Sequence, residues 1–128
     1  MIIIPESVPV DDLYGDKILY LMLSAPEKMH AMNIAVVKNI KKRGCTPLII
    51  TVNQPYRVLA KTYAKEGIMP EQYYVIDAVT QYSGGSCEPF LNVKYVNNPA
   101  NLTDLGIAIT GMLKTIPVQN KCIMFDSI

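Results

Sequence analysis

Four stretches of the chain are almost continuously apolar: "KILYLMLS" (Lys17 to Ser24), "PLIITVN" (Pro47 to Asn53), "QYYVIDAV" (Gln72 to Val79) and "KCIMFDS" (Lys121 to Ser127). None alternates apolar with polar. Unbroken apolar strands belong to sheets buried on both faces, which are usually parallel. Between them the period changes to that of a helix. "EKMHAMNIAVVKNIKKRG" places Met29, Met32, Val36 and Ile40 on one stripe, with Lys38, Lys41 and Lys42 opposite. Basic residues fill its last turn and Gly44 follows, a C-terminal signal. "PYRVLAKTYAKEG" begins at Pro55 and stops at Gly67, with Tyr56, Leu59, Ala60 and Tyr63 inward and Arg57, Lys61 and Lys65 outward. "NLTDLGIAITGMLKTIP" turns Leu102, Leu105, Ile109 and Met112 to one side. Asn101 is its expected cap and Pro117 its stop. Gly106 and Gly111 each cost a helix interior about 1 kcal/mol against Ala, so close packing is expected at both. Gly84-Gly85 marks a turn, and "FLNVKYV" (Phe90 to Val96) alternates enough for a short edge strand. The opening "MIIIPESVPVDD" reads as a short strand or an arm over residues 1–16. The element order predicts a single domain: a three-layer α/β sandwich around a mainly parallel sheet, with right-handed crossovers.

Composition narrows the class. Of 128 residues, 50% are hydrophobic and 18% charged, which supports a packed core and excludes a disordered chain. The net charge of +1 gives no bulk attraction to nucleic acid or to an acidic membrane surface. No apolar run reaches the ~20 residues of a membrane span. Cys45, Cys87 and Cys122 are odd in number and widely spaced, without C-x-x-C. That pattern excludes the common zinc and redox spacings and predicts a reduced, cytoplasmic setting. "NLT" at Asn101 matches a glycosylation acceptor by chance.

The segments "RGCTPLIITVNQPYRVLAKTYAKEGI", "YYVIDAV" and "LTDLGIAITGMLKTIPVQNKCIMFDSI" resemble, in order and spacing, the core of RecA-like ATPases and of KaiC-type proteins in particular. The resemblance runs from Lys17 to Ile128. It implies a P-loop NTPase fold, with "CIMFDS" in the place of a Walker B strand that ends in Asp-Ser. It also implies an archaeal-type signalling or scaffold setting, and ATP with magnesium as the ligands to consider.

Two departures weaken the catalytic expectation. A Walker A loop wraps phosphate with glycine backbone and a lysine, and holds magnesium with a hydroxyl. Here that place reads "SAPEKMHA": Ser24 and Met29 replace the glycines, His30 the lysine and Ala31 the hydroxyl, while Glu27 repels phosphate. Where KaiC-like enzymes carry catalytic glutamates, this chain has "VNQP". Asn53 and Gln54 orient water but take no proton at neutral pH. Further strands follow the Walker B strand in the family, so the sequence predicts either an incomplete core cut from a longer chain, the preferred alternative, or a partner chain over the open sheet edge.

The candidate residues follow from this. Ser24, Lys28 and His30 at the helix start, with Asp126 and Ser127 at the end of the last strand, are the nucleotide- or anion-binding candidates. Asp126 and Asp77, at the ends of two strands, are the candidate metal ligands. No catalytic residue is assigned and no cofactor is expected. Cys87 beside "SGGS" has no electropositive neighbour in sequence and reads as an ordinary thiol. The expected function is a non-catalytic, degenerate ATPase-like domain acting as a regulatory or assembly module with a protein partner or a second copy. The alternative is an ATP-binding or slowly hydrolysing protein with an unconventional phosphate loop.

Overall fold

The computed structural model describes residues 2–5, 20–23, 25–117 and 120–126. It is an α/β structure with six strands and three helices among those residues. In chain order these are β1 (Ile2–Pro5), β2 (Tyr20–Leu23), α1 (Pro26–Lys42), β3 (Thr46–Thr51), α2 (Tyr56–Lys65), β4 (Tyr74–Asp77), β5 (Val93–Tyr95), α3 (Leu102–Thr115) and β6 (Lys121–Asp126). A 3-10 turn at Pro70–Gln72 leads into β4, where the sequence pattern had predicted strand from Gln72.

The main sheet has four strands in the order β5-β4-β3-β6, all parallel. β1 and β2 pair with each other, also in parallel, as a separate ribbon. α1 and α2 lie on one face of the main sheet: Ile34, Val37, Tyr56, Leu59 and Tyr63 pack with Ile49, Val75 and Met124. α3 lies on the other, where Leu105, Ala108 and Met112 meet Leu48, Ile50 and Ile76. Three layers result, and β3 and β4 are covered on both sides, which explains their unbroken apolar sequences.

The helix ends follow the expected chemistry. Gly44 and Gly67 take φ of +76° and +77°, in the left-handed region where only glycine is unstrained. The Asn101 side chain accepts from Asp104 N–H at 3.1 Å and caps α3. Pro55 caps α2 from outside rather than opening it.

Three expectations need correction. The buried side of α1 is centred on Ile34 and Val37, while Met29, Met32, Val36 and Ile40 are half-buried. Val36 and Ile40 of the predicted stripe still pack against the same core, so the helix is rotated only slightly from the expected face. Leu102 lies exposed on α3, where Ala108 takes part in the core instead. Gly106 and Gly111 are exposed, and a Cβ on either would meet nothing within 4 Å, so no close packing offsets their cost.

Candidate functional site

In an open parallel sheet, ligands are met at the carboxyl ends of the strands. Here three strands end together. Thr51, last in β3, is paired with Asp77 of β4 on one side and Asp126 of β6 on the other. Asp77 and Asp126 therefore flank one threonine at the same end of the sheet. Asp77 is fully buried and Asp126 is 3% exposed.

The surroundings of the two acids differ. Asp77 accepts from Tyr56 N–H, Val79 N–H and Thr80 N–H, each at 2.8 Å, and from the Thr80 hydroxyl at 2.5 Å. Tyr56 opens α2, so one carboxylate oxygen satisfies a helix N-terminal donor across 21 residues of sequence. The other closes the turn that follows β4. This carboxylate builds backbone.

Asp126 meets side-chain amides. Asn33 Nδ2 of α1 donates to Oδ1 at 2.8 Å, and Gln54 Nε2 of the β3–α2 loop donates to Oδ2 at 3.2 Å. The backbone carbonyl of Asp126 accepts from Val52 N–H and Asn53 Nδ2, both at 3.3 Å. Thr51 Oγ1 donates to Gln54 O at 2.7 Å and accepts from Gln54 N–H at 3.3 Å, which fixes the loop that presents Gln54. One carboxylate thus ties a helix, a loop and a strand end together. A buried charge held by two neutral amides has its lone pairs partly satisfied without a counter-ion.

Tyr63 lies behind this group. Burial pushes its hydroxyl well above the usual tyrosine range, and the Asp126 charge pushes it further. That hydroxyl is buried without a hydrogen-bond partner, and its ring meets Tyr73 edge-on with centroids 5.2 Å apart. Tyr73 is raised likewise, first by burial and then by Tyr56.

The remaining candidates are less connected. Lys28 and His30 are exposed on the first turns of α1, and the contact from that helix to Asp126 comes from Asn33. Ser24 and Ser127 lie outside the described residues. The start of α1 has Ala25 at its cap, with no side-chain cap, then Pro26 and the acidic Glu27. Asn53 and Gln54 donate to Asp126, a role that their sequence position did not reveal. Asn33 carried no sequence signal, because an asparagine within a helix is ordinarily a surface residue. Tyr82 and Cys87 are exposed, while Tyr73 is core.

A concavity of about 560 Å³ lies between β5 and α3, with Lys94, Val96, Asp104, Ile107 and Met112 in its walls. Neither Asp77 nor Asp126 lines it. Among the described residues, no group of three or more His, Cys, Asp or Glu side chains could hold a metal ion, and no helix is long and apolar enough to cross a membrane.

The chain matches no protein-family model, no curated protein and no solved structure.

Proposed function

We propose that this chain is a non-catalytic α/β domain with a degenerate RecA/KaiC-like nucleotide site, working as a regulatory or assembly module for a protein partner. One observation carries the reading. The acid in the Walker B-like position, Asp126, has each carboxylate oxygen bonded to a side-chain amide, from Asn33 and from Gln54. A magnesium-binding acid needs an oxygen open to a metal-bound water. Here each oxygen gives one lone pair to an amide that joins structural elements, and the residue is 3% exposed, which leaves little access for a metal-bound water. Asp77 supports the same reading, since its four bonds hold the turn after β4 and the start of α2. The helix start adds weaker support: Ala25, Pro26 and Glu27 give no phosphate ligand and one repelling charge, and Lys28, the basic residue of that turn, is exposed.

The alternative, ATP binding through an unconventional phosphate loop, draws on the position of Asp126 at a carboxyl strand end. Thermal unfolding with and without magnesium ATP separates the two. A site with micromolar affinity adds about 4 kcal/mol at a thousandfold ligand excess, a shift of roughly 10–20 °C for a domain of this size. The proposal expects no shift at millimolar nucleotide. A clear shift that is absent in Asp126→Asn, with the variant itself still folded, would overturn it and establish the alternative.

A further inference from the structure

We propose that α3 pairs with α3 of a second copy of this chain, antiparallel across a twofold axis, with Ile107 of each copy seated beside Gly111 of the other. The inference stands on the outer face of α3 and does not depend on the nucleotide reading.

The three helices expose different chemistry. The exposed positions of α1 include Glu27, Lys28, Lys38 and Lys42, and those of α2 include Arg57, Lys61 and Lys65. Charge of that density keeps a helix face in water. α3 has nine exposed positions, of which only Asp104 and Lys114 are charged. Ile107 is 67% exposed among them.

The shape of this face suits a copy of itself. Asp104, Ile107, Gly111 and Lys114 stand at i, i+3, i+7 and i+10, one stripe along α3, and all four are exposed. The concavity of about 560 Å³ beside β5 runs along that stripe, lined by Asp104, Ile107 and Gly111 and by the apolar Ala108 and Met112. A second hollow, of about 620 Å³, shares Ile107 and Gly111 and adds Lys114. Ile107 is thus a ridge with a recess beside it. A Cβ on Gly111 would meet nothing within 4 Å, so the recess is open to a side chain from outside. A surface that carries both a ridge and its recess is complementary to itself, as a twofold interface requires.

Register then selects the second copy. Ile107 and Gly111 are placed symmetrically about position 109, and so are Asp104 and Lys114. An antiparallel pair with its twofold axis at position 109 sets Ile107 against Gly111 of the other copy and, in the same register, Asp104 against Lys114. Asp104 Oδ2 accepts from Asn101 Nδ2 at 2.9 Å, and no ion pair engages Asp104 or Lys114 among the described residues. Both charges are therefore available across the axis. A parallel pair would set Asp104 against Asp104 and Lys114 against Lys114, which repels. The apolar contact and the charges choose one register, and that agreement favours a second copy over an unrelated chain.

Size sets the strength. α3 has 14 residues and is about 21 Å long. One helix pair of that length stays below the ~1,200 Å² of a stable interface, so association is weak and reversible. A dissociation constant on the order of 100 μM is expected.

Sedimentation equilibrium of this chain between about 10 μM and 1 mM tests the proposal. The mass should rise from that of one chain toward that of two. Ile107→Asp changes an exposed position, so it should keep the far-UV circular dichroism of the fold and weaken association at least ~100-fold. Lys114→Glu should weaken it about 10-fold, and adding Asp104→Lys should restore it by inverting both charge pairs. The mass of one chain at every concentration would overturn the proposal, as would a dimer unchanged by Ile107→Asp. A folded double variant that does not regain association would overturn the antiparallel register. Should the double variant unfold, isotope-filtered NMR on mixed labelled and unlabelled native chain decides. Contacts between chains from Ile107 methyls to Gly111 α-protons support the pairing, and their absence at the highest concentration refutes it.

Discussion

Replacing Asp77 tests whether this acid is structural or kept for a ligand. Its carboxylate accepts three backbone N–H groups and one hydroxyl, and it is fully buried. Hydrogen bonds to a charged group contribute about 1.5–3 kcal/mol each, and a buried donor left without a partner costs about 1–3 kcal/mol. In Asp77→Ala, the N–H groups of Val79 and Thr80 sit in a part-buried turn and can recover water. Tyr56 N–H is buried and cannot. The loss expected is therefore about 3–5 kcal/mol, dominated by that one donor. Asp77→Asn keeps an acceptor for the turn but aims an amide NH₂ at Tyr56 N–H, so about half of that loss is expected. Thr80→Val removes the hydroxyl bond alone and should cost about 1 kcal/mol. Urea unfolding followed by far-UV circular dichroism gives each value from the midpoint, provided the slope is unchanged. A domain holding about 5–15 kcal/mol in total would lose a large part of it in the alanine variant. A change below about 1 kcal/mol in Asp77→Ala at constant slope would refute the reasoning. An acid reserved for a cation gives the opposite result, because removing its unpaired charge leaves the apo protein as stable or more so.

Other consequences can be measured directly. Tyr63 and Tyr73 are raised above the tyrosine range chiefly by burial, so in the folded chain their hydroxyls hold protons that the unfolded chain releases near pH 10. Their contribution is complete below that pH and is lost as pH rises above it. Absorbance at 295 nm should show these two of the eight tyrosines ionising only as the protein unfolds in alkali. Tyr63→Phe removes an unpartnered buried hydroxyl and should leave the melting temperature unchanged or higher. Gly106→Ala and Gly111→Ala meet open space in a helix and should each stabilise by about 0.4–1 kcal/mol in urea unfolding. Gly44→Ala, at φ +76°, should instead cost about 1 kcal/mol, and equal effects at the two kinds of site would contradict the backbone assignments.

Most strands and helices, and the parallel character of the main sheet, were legible in the sequence. β3 and β4 are covered by helices on both faces, so nearly every position is apolar and the strands are legible without any partner. α2 was legible down to its stripe, because Tyr56, Leu59, Ala60 and Tyr63 form one arc with charge on the other side. Helix ends at Gly44, Gly67 and Asn101 were readable because capping chemistry is local. The placing of Asp77 and Asp126 at one end of the sheet followed from parallel topology alone. What those acids do depends on contacts that form only on folding. Asp77 is bonded to Tyr56, 21 residues away, and Asp126 to Asn33, 93 residues away. Contacts at such separations leave no periodic trace, and an amide that holds a buried carboxylate has the same sequence appearance as one in water. For the same reason the rotation of α1 was settled by the sheet. Ile34 and Val37 lie beside the stripe of Val36 and Ile40, and packing against the sheet buries the first pair fully and the second in part.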